Sequence, residues 1–72
     1  MFNVLLINNQ GKYKIQKRKI IPRVNDSLDM GYSPFPKVES VLPEPTKKTL
    51  KSMNLENQNI EAIVTFDGFI ID

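Results

Sequence analysis

Phe2–Ile7 is apolar at every position except Asn3. Six residues suit a strand, and the lack of alternation predicts burial on both faces. The Asn8-Asn9-Gln10-Gly11 cluster that follows can supply the positive φ angles of a tight turn, which makes a hairpin with a second strand over Lys12–Ile21 the expected start of the chain. Within that second strand Tyr13 and Ile15 alternate with Lys12, Lys14 and Gln16, the pattern of a half-buried strand. The alternation then fails, because Gln16-Lys17-Arg18-Lys19 is polar on both sides before Ile20-Ile21. Either the middle of the strand projects beyond the core, or a bulge near Lys17 switches the inward face.

Pro22 cannot donate to a ladder and ends the strand. Arg23 to Ser27 carries turn chemistry, with Asn25 and Asp26 able to bond nearby amides. Leu28, Met30 and Tyr32 then offer a short alternating strand. Ser33-Pro34-Phe35-Pro36 is expected to be extended, since each proline pushes its predecessor out of the helical region. Lys37–Leu42 predicts a third substantial strand around Val38, Val41 and Leu42, stopped by Pro43-Glu44-Pro45. Thr46–Leu55 is the helical candidate, two turns at most, with Thr46 as cap and Leu50 and Met53 three apart; a plain loop is the competing expectation. Ile60–Phe66 alternates most cleanly, with Ile60, Ala62, Val64 and Phe66 assigned to one face and Glu61, Ile63 and Thr65 to the other. Asp67-Gly68 signals a type I′ turn into a short closing strand at Phe69-Ile70-Ile71.

Composition sharpens this into a fold class. Val and Ile total 13, against six Leu and one Ala, a balance that favours strands. Seventy-two residues make one domain, 1–72, whose core lies near the lower limit for folding alone. Five or six short strands of this kind leave edges that must be managed, and curling the sheet shut is one way to do so. The expectation is an all-β domain with room for one short helix, folded as a small five- to six-stranded barrel.

One segment carries a resemblance. Ile21-Pro22-Arg23-Val24-Asn25-Asp26-Ser27-Leu28 is similar to the I-P-R-V-G-D-x-hydrophobic segment of short SH3-like barrels of phages and Bacteroidetes, and Val38-Glu39-Ser40-Val41 sits where their following Val-x-x-Val strand would be. The likeness spans Lys17 to Leu42. It implies an SH3-like barrel and implies little about function. Asn25 stands where glycine is usual, and asparagine tolerates the left-handed conformation better than most residues.

Chemistry is sparse. Cysteine and histidine are absent, which excludes disulfides, thiolate nucleophiles, imidazole bases and the usual zinc sites. Gly11, Gly31 and Gly68 form no phosphate-binding loop. The serines have no histidine to activate them, and Asp26 with Asp29 falls short of the ligands calcium needs and fits turn capping instead. We therefore expect no enzyme, no cofactor and no metal. No apolar run approaches the roughly 18–20 residues of a membrane span, and Met1–Ile7 has no signal-peptide pattern, so no membrane partner and a cytoplasmic location are expected.

Charge is segregated. Met1 to Asn25 contains six basic residues and no acid, whereas Asp26 to Asp72 contains eight acids and four lysines, giving parts of +6 and −4. Such asymmetry steers anionic partners, although charge runs are commonly just solvated surface. Tyr13 interleaved with Lys12, Lys14, Lys17, Arg18 and Lys19, with Arg23 beyond, is the first binding candidate; a positive groove with an aromatic is how small barrels hold single strands. Tyr32 and Phe35 on a stiff proline-bracketed segment are the second, against the plainer expectation that Phe35 plugs one end of the barrel. The third is the stretch Gln16–Lys19, which as a free edge could pair with an acidic partner chain. These observations point to a non-enzymatic interaction module, an accessory protein of phage or mobile-element type. Its expected partner is another protein, self-association included, ahead of nucleic acid. The alternative is a nucleic-acid-binding barrel using Lys12–Arg23.

Overall fold

Three consecutive apolar residues put the first strand at the centre of the molecule. Val4, Leu5 and Leu6 are all 0% exposed, although neighbours on a strand point to opposite faces, so this strand is covered from both sides. The computed structural model describes residues 1–71. In it β1 (Phe2–Asn8), β2 (Tyr13–Arg18), β3 (Val38–Pro43) and β4 (Ala62–Phe66), with one short helix α1 (Lys47–Ser52), make a small, mostly β fold. The strands form one sheet of order β2-β1-β4-β3. β2 lies antiparallel to β1, β4 lies parallel to β1, and β3 lies antiparallel to β4.

Turn chemistry fixes the first hairpin. Asn8 is buried, and its Oδ1 accepts the backbone N–H groups of Gln10 (3.1 Å) and Lys12 (2.9 Å). Gly11 follows at φ 81°, a value that glycine reaches at no steric cost. On one face of the sheet Val4, Leu6, Val38, Val64 and Phe66 pack with Leu28, Met30 and Ile70. On the other, Leu5 and Ile63 pack with Leu50 of α1 and with Leu55 and Ile60. Helix α1 is capped by Thr46, whose Oγ1 accepts the N–H of Thr49 at 3.2 Å.

Several expectations need correction. Four strands are present among the described residues, and the sheet is not closed, so the five- to six-stranded SH3-like barrel is not confirmed. The second strand stops at Arg18 rather than Ile21, and its register against β1 runs unbroken from Phe2–Arg18 to Ile7–Tyr13. Hence no bulge lies near Lys17; the irregularity falls in β3, between Val38 and Ser40. Ile60 precedes β4 and packs with Ile63, on the face opposite Val64 and Phe66. Gly68 does not take the positive φ of a type I′ turn, and Phe69–Ile71 forms no strand; Ile70 instead seals the core. Leu28 and Met30 are buried as their alternation implies, but their segment makes a single bridge, Ser27 to Lys37, rather than a strand.

Candidate interaction surface at the β2 edge

β2 has a partner on one side only, since it ends the strand order. In an edge strand the backbone groups not bonded to the neighbour face outward. Cross-strand partners share a face, so pairing with β1 places Lys14, Gln16 and Arg18 on the side of Val4 and Leu6, and Tyr13, Ile15 and Lys17 on the side of Leu5 and Ile7. The cations thus project to both sides of the edge. Lys12, Lys14, Lys17 and Lys19 are exposed, and Arg18 is half-buried. Tyr13 and Ile15 are 52% and 37% exposed, which leaves two apolar side chains on one side of a cationic strand. Gln16 Oε1 and Arg18 Nε, two residues apart on the other side, are buried atoms without a hydrogen-bond partner among the described residues.

The two edges of the sheet differ. β3 carries a register shift and ends in Pro43, both devices that discourage a further strand. β2 has neither. Its protection is its charged side chains alone, which repel a cationic strand, disfavour a neutral one that would desolvate them without a counter-charge, and attract an acidic one.

The remaining candidates lie apart from this strand. Arg23 belongs to a turn, where its N–H donates to Asp26 Oδ2 at 2.9 Å and its carbonyl accepts the Asp26 N–H at 3.0 Å. Asn25 in that turn has φ 74°, the left-handed conformation its position demands. Asp29 Oδ1 accepts the Gly31 N–H at 3.1 Å, so both aspartates act on local backbone. Tyr32 is half-buried and stacks on Phe69, with ring centroids 3.9 Å apart and planes 12° apart. Its hydroxyl accepts the Phe69 N–H at 3.0 Å. Phe35 is 49% exposed and plugs nothing; Tyr32 closes this end of the core instead, because its stacked position satisfies both ring and hydroxyl.

Sequence reasoning missed a cavity of about 310 Å³ lined by Phe2, Ile21, Glu44, Ile60 and Glu61. Its residues come from four separated stretches, and no local pattern links them. No described helix is long and apolar enough to cross a membrane. Comparisons with protein-family models, curated proteins and solved structures gave no match.

Proposed function

We propose that this protein is a non-enzymatic interaction module that takes up an extended acidic segment of another protein as an added strand along β2. The observation that carries this is the asymmetry of the sheet: β2 is a straight edge without proline or bulge, cationic on both sides, with Tyr13 and Ile15 exposed beside it. Added strands gain affinity from main-chain bonds and specificity from alternate side chains. Alternating acids would meet Lys14 and Arg18 on one side or Lys17 on the other, while alternating apolar residues would lie against Tyr13 and Ile15. Pairing of β2 with β2 of a second copy would set lysine against lysine, which disfavours self-association through this edge. An accessory role of phage or mobile-element type is part of the proposal and draws on the Ile21–Leu28 segment.

The test is fluorescence anisotropy with a labelled ten-residue peptide of alternating Glu and Val, at roughly 50 mM salt, where charge attraction reaches beyond ~10 Å. Saturable binding is expected, weakening as salt rises and falling at least ~10-fold when Lys14, Lys17 and Lys19 are all changed to Gln, a loss of the order that several screened charge contacts supply. A labelled single-stranded oligonucleotide is run beside it. Tighter retention of the oligonucleotide than of the peptide, or no peptide binding at this salt, would overturn the proposal. The first of these results would favour phosphate contacts by the same lysines, with a base stacked on the exposed Tyr13.

A further inference from the structure

The cavity at the end of the sheet does not depend on strand addition at β2. It is lined by three apolar residues, Phe2, Ile21 and Ile60, and by two acidic ones, Glu44, which is exposed, and Glu61, which is half-buried. The backbone around it is tied across three elements: the Glu44 N–H donates to the Glu61 carbonyl at 3.0 Å, and the Glu61 N–H donates to the Asn3 carbonyl at 2.9 Å. Asn3 in turn donates through Nδ2 to the Asn59 carbonyl at 2.9 Å. Residues from the starts of β1 and β4 and the end of β3 are therefore held in register around the opening. Glu61 Oε1 receives only a long contact from the Asn3 N–H, at 3.5 Å. Neither carboxylate forms an ion pair among the described residues.

A volume of about 310 Å³ is large beside the roughly 10–15 Å³ that suffices for one water, so the cavity admits a group of several heavy atoms. Apolar walls favour methylenes, and two anionic carboxylates favour a cation at the end of them. A compact metal ion would leave the apolar walls unused. We infer that this cavity binds an aliphatic chain ending in a cation: a free alkylamine, or the side chain of lysine or arginine on a protein segment. A lysine stem lying along Phe2, Ile21 and Ile60 with its ammonium between Glu44 and Glu61 uses every wall.

Backbone amide NMR on the full chain tests this with butylammonium as the probe, 1-butanol as its neutral counterpart and ammonium chloride as its stemless one. Butylammonium is expected to shift the amides of Glu44, Ile60 and Glu61 saturably, with a dissociation constant in roughly the millimolar range for so small a ligand. Glu44→Gln and Glu61→Gln should each weaken it about 10-fold, the loss of one charge-assisted contact. An acetyl-Gly-Lys-Gly-amide peptide separates the sources: equal shifts assign a protein side chain, and shifts with butylammonium alone assign a free amine. Equal shifts from butanol or from ammonium chloride, or no saturation with butylammonium, would overturn the inference on the unmodified protein, whatever the folding of the variants.

Discussion

Gly68 lies under Tyr32, and a Cβ there would sit 2.5 Å from the Tyr32 hydroxyl and 3.1 Å from Pro36 Cβ. The conformation is ordinary, so the need for glycine is one of space. Gly68→Ala is expected to lower stability by about 1–3 kcal/mol, as overpacking does, measured by urea denaturation; an unchanged midpoint would show that the Tyr32–Phe69 stack yields freely. Asn8 matters through its acceptor. Its Oδ1 takes two turn amides from a buried position, and Asn8→Ala should cost about 1–3 kcal/mol because those donors lose their partner. Circular dichroism melting of the variant checks this, and a loss below ~0.5 kcal/mol, the lower bound for a net hydrogen bond, would contradict it.

Among the elements, those whose signal is local were legible. The Thr46 hydroxyl caps α1, and Leu50 is the residue that anchors the helix to the sheet. Thr46→Ala is expected to cost about 1 kcal/mol and Leu50→Ala about 2–4 kcal/mol, a ranking that thermal denaturation reads directly. The apolar run of β1, broken only at Asn3 before Ile7, correctly implied two buried faces, since Val4 and Leu6 serve one core and Leu5 the other. What the run could not say is which strand lies beside it. The parallel pairing of β1 with β4 joins residues nearly sixty positions apart, Val4 with Ala62 through Asn8 with Phe66, and such partners leave no mark in a local window. The same gap explains the missing barrel: a hairpin of β1 and β2 looks alike at the rim of an open sheet and within a closed one. Ile60 falls on the face opposite the one its alternation implies because the regular strand begins only at Ala62, the first residue of β4. At the candidate site, the cationic stretch was legible as composition, whereas its division between two sides of an edge required the register.

For the molecule as a whole, β4, like β1, is an element on which both cores depend. It contributes Val64 and Phe66 to one and Ile63 to the other, and it separates β1 from β3. A chain truncated after Asn59 is expected to show no cooperative urea transition, because β1 loses one of its two neighbours and both cores lose side chains that are largely sequestered from water. The charge layout works at the same scale. The cationic N-terminal part forms the β1–β2 hairpin and its exit, and at the rim of the sheet Lys14 and Lys17 of β2 are exposed while Arg18 is half-buried. The most direct measurement is hydrogen exchange of the Tyr13–Arg18 amides, in the free protein and with the alternating Glu–Val peptide at saturation. Alternate amides of β2, those not bonded to β1, should exchange rapidly in the free protein and slow at least ~10-fold in the complex, the protection expected of a newly formed ladder. Uniform protection of all β2 amides in the free protein, independent of concentration, or peptide binding that leaves them unprotected, would contradict the account.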